Sequence, residues 1–173
     1  RRITLLENSA RLLYKEWFVK FQFPGHEKVK VKNGLPEEWE RKKIGDIAET
    51  VGGGTPSTVV PEYWNEGNIT WFVPKDLTNN GCLPLIDSEK KITSLGLKKS
   101  SARMLPPETI LMTSRASIGY FGLFEKECCT NQGFISIIPK LENSKMFILY
   151  NLMNRKQEIE LKASGTTFKE ISK

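Results

Sequence analysis

The chain has 173 residues, 39% of them apolar, and 26 Lys and Arg against 20 Asp and Glu, for a net charge of +6 and a pI near 9.2. No run of about 18 apolar residues exists, so a membrane-spanning helix is not expected. Three cysteines, two of them adjacent (Cys128 and Cys129), exclude a paired disulfide framework and suit reduced thiols in the cytoplasm.

Residues 1 to about 21 predict one helix. Ile3, Leu6, Ala10, Leu13 and Trp17 follow a 3-4-3-4 spacing like that of a coiled-coil seam. Leu5, Leu12 and Val19 widen the stripe. Pro24-Gly25 ends the helix, and a basic connector runs to Asn33-Gly34, a turn signal that marks a domain boundary. Residues 1–43 hold eleven Lys or Arg and six Glu, so +5 of the +6 lies there. From Leu35 to Pro139 the pattern becomes short segments rich in β-branched and aromatic residues: NITWFVP, KKITSLGL, TILMTS, SIGYFGLF and QGFISIIP. One or two helical turns are expected at 44–50. Ser136 between Ile135 and Ile137 reads as a half-buried strand. Residues 144–162 return to helical spacing. Gly165 then stops that helix, and Thr167 with Glu170 forms a capping box for another.

VGGGTPS, residues 51–57, raises the question of a phosphate cradle. A Walker loop needs Lys followed by Ser or Thr where Pro56 and Ser57 stand. A dinucleotide fingerprint needs spaced glycines with donors that Pro56 lacks. Two readings stay open: a tight turn that uses glycine for positive φ, or a backbone approach to nucleic-acid phosphate at Gly53 and Gly54 with Thr55 and Ser57 as donors. Catalysis finds little support. His26 is the one histidine, in the loop-like FPGHEK, and no ligand set for a metal lies near it. No catalytic residue, metal or cofactor is expected.

The order LLYKEWFVKFQFPGHEKVK, LPEEWERKKIGDIAETVGGGTPST, PEYWNEGNITWFVPKDL, LPPETILMTSRASIGY, CTNQGFISIIP, ASGTTFKEIS resembles the DNA-specificity subunit of type I restriction-modification systems over essentially the whole chain. The resemblance implies an α+β fold: a mainly β, loop-rich target recognition domain flanked by the long helices of an antiparallel coiled coil. The boundaries would be 1–32 for the end of one helix and its connector, 33–164 for the recognition domain, and 165–173 for the start of the next helix. Such a subunit normally carries two recognition domains; this chain matches one. It would read half of a split target in double-stranded DNA and dock DNA methyltransferase subunits and restriction subunits, itself catalysing nothing. With its partner helix largely missing, the apolar stripe is expected to pack on its own domain or to form a homodimer. A recognition domain of a fused restriction-modification enzyme is the alternative, although the adenine-methyltransferase tetrapeptide is absent from the 173 residues.

Candidate DNA contacts follow from residue chemistry. Arg115 offers a fixed charge for phosphate, or pairs with an acid inside the domain. Asn131 and Gln132 suit adenine, or tie loops together. Lys75, Asn79, Asn80, Lys91 and Thr93 lie in less stereotyped segments and are the expected base readers. Lys98 and Lys99 are expected to face phosphate. Trp64 and Trp71 read as supporting aromatics, because a duplex offers no open base faces.

Overall fold

A computed structural model describes residues 2–164 and 170–171. Helix α1, Arg2–Tyr14, contains no glycine or proline. It passes into a π-helical segment at Lys15–Val19, closed by Lys20 N donating to Lys15 O at 3.0 Å. The wider turn brings the consecutive Trp17 and Phe18 to the domain side. The face turned inward is Glu7, Ala10, Tyr14, Trp17 and Phe18, while Ile3, Leu6 and Leu13 stay 50%, 71% and 49% exposed. Most of the predicted seam therefore does not pack on its own domain. Tyr14 anchors the helix: its hydroxyl accepts from Asn151 Nδ2 at 2.9 Å, and burial pushes its pKa up. Phe18 meets Phe147 edge-on at 4.9 Å and Trp39 at 5.6 Å, and Phe23 stacks on Trp39 at 5.3 Å. These rings fold the connector back under the helix.

Strands β1 (Val31–Lys32) and β2 (Leu35–Pro36) form a hairpin whose two loop residues, Asn33 and Gly34, have φ of 54° and 74°. That is the chemistry of a type I′ turn. Helix α2 (Ile44–Ile47) leads into β3 (Ala48–Gly52), so the helical turn expected at 44–50 ends early and a strand begins. The other strands are β4 (Ile69–Phe72), β5 (Lys90–Ile92), β6 (Ile110–Thr113), β7 (Phe121–Leu123), β8 (Cys129–Thr130) and β9 (Phe134–Pro139). One sheet runs β3-β9-β6-β7, antiparallel throughout; a second runs β5-β4-β8, with β4 and β8 parallel.

Alternate residues of the first sheet feed two cores. Ala48, Ile110, Met112, Ile135 and Ile137 pack with Ile148 and Leu149 of α5 (Lys145–Asn154). Val51, Leu111 and Phe134 face the other way, onto Phe72, Leu77, Leu105 and Phe124. Covered on both faces, β6 reads as the continuous apolar run Ile110-Leu111-Met112. The same arrangement corrects the half-buried reading of β9: Ser136 is wholly buried between Val51 and Leu111. Its small side chain makes room for the neighbours rather than meeting solvent.

The second sheet carries α3 (Pro74–Asn80) and α4 (Ser94–Lys98). Asp76 Oδ2 accepts from Val73 N at 2.8 Å, Pro74 opens α3, and Gly81 with φ 69° closes it. KKITSLGL, expected as strand, divides at Thr93, whose Oγ1 accepts from Gly96 N at 3.0 Å and starts α4. An N-cap there ends the strand. The C-terminal helical stretch also divides, into α5 and α6 (Lys156–Leu161) at Arg155. The capping residue expected at Thr167 and the stop at Gly165 lie outside the described residues.

Candidate nucleic-acid interface

The glycine stretch is extended backbone, not a turn: positive φ occurs at Gly25, Gly34, Gly81 and Gly119, not at Gly52, Gly53 or Gly54. Close approach explains the glycines instead. A Cβ on Gly53 would overlap the carbonyls of Thr130 and Asn131, and one on Gly54 would overlap Ser101 and the Ala102 nitrogen. The segment threads between the strand β8 and the loop after α4. Gly54 N donates to Thr130 O at 2.9 Å, and Gly54 O accepts from Trp71 Nε1 at 2.9 Å. Both backbone groups of Gly54 are thus engaged inside the domain. Pro56 is fully buried, and Ser57 O accepts from Trp64 Nε1 at 3.0 Å. Trp64 meets Trp71 edge-on at 5.0 Å. Thr55 Oγ1 donates to Gln132 Oε1, and the seam reaches the surface at these two side chains.

The other sequence-derived candidates fall into three groups. Several are tied internally. Asn80 Nδ2 donates to Cys82 O at 2.7 Å and Pro84 O at 2.8 Å; Thr93 caps α4 and donates to Glu62 O at 2.8 Å; Asn131 Oδ1 accepts from Gly133 N at 2.9 Å. Others are charged and paired: Arg115 Nε lies 3.8 Å from Glu170, Lys75 lies 3.8 Å from Glu89, and Lys91 Nζ lies 2.9 Å from Asp87 Oδ2. The third group is Asn79, Lys98 and Lys99, which are exposed; the two lysines form no ion pair among the described residues. Lys98 and Lys99 close α4, where cations meet the negative end of the helix. They sit three and two residues before Ser101, which packs on Gly54, the neighbour of Thr55, so the chain brings these lysines near the Thr55–Gln132 pair.

A second feature went unnoticed in the sequence. An open cleft of about 390 Å³ is lined by Thr58, Trp64, Lys90 and Lys91. Asp87 stands beside it, and its carboxylate accepts from Lys91, Ser88 N at 2.9 Å and Thr70 Oγ1 at 3.5 Å. The Lys91 ammonium above all holds its pKa below the usual carboxylate value. The Asp-x-x-x-Lys spacing is visible in LIDSEKKIT, where Lys91 and Thr93, but not Asp87, are expected base readers.

Burial raises the thiol pKa values of Cys128 to about 12 and Cys129 to about 11, so both stay protonated at neutral pH and are poor nucleophiles. Among the described residues, no three His, Cys, Asp or Glu cluster as metal ligands, and no helix is long and apolar enough to cross a membrane.

Residues 36–173 match the family model of the type I restriction modification DNA specificity domain. This chain belongs to that family. It is 38% identical over 157 residues to the type I restriction enzyme MjaIX specificity subunit of Methanocaldococcus jannaschii, covering 90% of this chain and 36% of that one. To the EcoR124I/EcoR124II specificity subunit of Escherichia coli it is 32% identical over 135 residues, 75% of this chain and 32% of the other. The chain thus spans about a third of the length of these curated relatives. The fold is shared with a chain of a type I R-M system complex (TM-score 0.60, 20% identity, 99% of this chain and 40% of that one). It is also shared with the HsdS subunit from Thermoanaerobacter tengcongensis (TM-score 0.56, 18% identity, 98% and 42%). The α+β architecture is that of these specificity-subunit structures.

Proposed function

We propose that this chain is a target recognition domain that reads one half of a split sequence in duplex DNA, as the non-catalytic specificity component of a type I restriction-modification complex. The observation that carries the reading is the surface bordered by Thr55, Gln132, Ser101, Lys98 and Lys99, continued by Lys90 and Lys91 on β5. Cations and amide or hydroxyl groups lie there on a two-sheet body: Lys90, Lys98 and Lys99 form no ion pair among the described residues, and Lys91 is paired with Asp87. Cations give salt-dependent attraction to phosphate, and side chains held by strands give fixed positions for reading base edges. In this reading Gly53, Gly54, Asn80, Thr93 and Asn131 hold the loops in place, and Arg115 braces the end of the domain through Glu170. Thr55, Ser57, Gln132, Lys75, Asn79, Lys91, Lys98 and Lys99 remain the side chains available to DNA. Membership of the family supports this reading. The domain acts in the cytoplasm, where its DNA and partner subunits are.

The exposed stripe of Ile3, Leu6 and Leu13 is the assembly face: it takes a second helix in the whole subunit and, with it, the methyltransferase subunits that in turn admit restriction subunits. A homodimer through the same stripe competes when that helix is missing. Duplex binding by the subunit assembled with its methyltransferase, titrated at two salt concentrations, tests the main reading. Binding should weaken steeply with salt and prefer duplex over single strands; salt-independent binding refutes it. Replacing Leu6 and Leu13 by Glu should abolish self-association and methyltransferase docking with an unchanged circular dichroism spectrum.

A further inference from the structure

We propose that Asp87 and Lys91 act together as the reader of a single G·C base pair in the major groove. The proposal rests on the DNA-recognition reading above and adds to it the base pair and the residues. β5 is the edge of its sheet: β4 covers one side, and among the described residues no strand covers the other. β4 and β5 form the antiparallel edge ribbon of the three-stranded sheet, and its β5 side can be offered to the major groove, which admits β structure. Register places Lys91 opposite Thr70, and Thr70 Oγ1 donates to Asp87, so the three side chains lie on one face of the ribbon.

The spacing of the charged atoms is the central observation. Asp87 Oδ2 and Lys91 Nζ are 2.9 Å apart. The cytosine N4 and guanine O6 of a base pair are hydrogen-bonded to each other and so are separated by about 2.9 Å as well. A carboxylate facing N4 accepts a hydrogen bond, and an ammonium facing O6 donates one, without the protein pair having to separate. An A·T pair also presents a donor beside an acceptor, N6 and O4. There, however, the adenine N7 acceptor lies next to the carboxylate and repels it, and the thymine methyl stands where guanine N7 would give the ammonium a second acceptor. Both differences favour G·C.

The surroundings make the pair rigid yet reachable. Asp87 is held by three donors, and its side chain is 50% exposed with that of Lys91 at 39%. The cleft lined by Trp64, Thr58 and Lys90 opens beside Lys91, giving the groove edge room to enter. Trp64 is fixed by its bond to Ser57 O and its contact with Trp71. Lys90, opposite Trp71 on the ribbon's other face, forms no ion pair among the described residues and is assigned to phosphate.

The test is selection from a random duplex pool by the whole subunit assembled with its methyltransferase, with sequencing of the bound DNA. The wild-type motif should contain a G·C position at which the preference is roughly 5- to 100-fold. Asp87→Asn and Lys91→Met should each erase the preference at that position alone. The exchange Asp87→Lys with Lys91→Asp keeps the ion pair and should select C·G there in place of G·C. Lys90→Ala should weaken binding to all sequences alike. If both single variants keep the wild-type motif, lose affinity uniformly, or relax an A·T position, the assignment is overturned while DNA recognition stands. If the exchanged variant still selects G·C, it is overturned too. A wild-type assembly that selects no motif overturns the recognition reading and the assignment with it.

Discussion

Two neighbouring regions of this domain differ in almost every physical respect. The seam formed by Gly53 to Pro56 against Thr130 to Gly133 is close-packed, and most of its polar groups bond inside the domain, the buried Thr130 hydroxyl excepted. The border formed by β5 and the end of α4 is open, cationic and rich in side chains that reach solvent. The comparison teaches that the more conspicuous motif is the less available one. A glycine run attracts attention as a ligand cradle, but here the missing side chains admit other backbone, so there is no space left for a ligand. The plain lysine-bearing segment keeps Lys90, Lys98 and Lys99 exposed and out of ion pairs among the described residues.

The largest expected effects belong to the seam. Trp71→Ala removes a buried indole and the bond to Gly54 O, and should cost about 3–5 kcal/mol of stability, measured by denaturant unfolding. Gly54→Ala forces a methyl group into Ser101 and Ala102 and should cost about 1–3 kcal/mol or more. Affinity for all DNA sequences should fall in proportion to the folded fraction. If a folded Gly54→Ala instead loses DNA binding with unchanged stability, the seam is a contact surface and the comparison breaks.

On the open border the pattern should reverse. Lys98→Ala with Lys99→Ala should change stability by no more than about 0.5 kcal/mol. The dependence of log affinity on log salt should become shallower by about two, one counterion for each lost phosphate contact. An unchanged slope would move these lysines out of the interface.

A further effect, seen only at alkaline pH, concerns Cys128. The Cys128 pKa is raised from 9.0 to about 12 in the folded state because burial disfavours the thiolate. Below pH 9 its contribution to stability is fully present. As pH rises from there toward the folded value, the unfolded state loses the proton first and stability declines. Unfolding at pH about 8 and about 11 should show this decline, and Cys128→Ala should make it flatter.

Much of the architecture was legible in the residues. All five expected strand segments contain a strand, β4 in NITWFVP, β5 in KKITSLGL, β6 in TILMTS, β7 in SIGYFGLF and β9 in QGFISIIP, because β-branched and aromatic runs bounded by turn residues carry a local signal. Asn33-Gly34, expected as a turn, is the loop of the β1–β2 hairpin, whose strands were not expected. KKITSLGL was misread after Ile92 because a hydroxyl at an N-cap outweighs β propensity over so short a span. β3 was missed because AETVG is apolar enough for either state, and only pairing with β9 decides it.

Motif order by itself pointed to the family, and periodicity and composition to the helix–β body–helix sequence of segments. They could do so because propensity, periodicity and motif spacing are local properties of the chain. Tertiary structure alone decided which side of α1 faces the domain, that Gly53 and Gly54 serve close approach rather than positive φ, and that Thr55 meets Gln132 across 77 positions. It also paired Asp87 with Lys91 and set Lys91 beside Trp64, on a strand whose outer side no strand covers among the described residues. Such contacts depend on strand order and register, which bring together residues that no spacing along the chain relates.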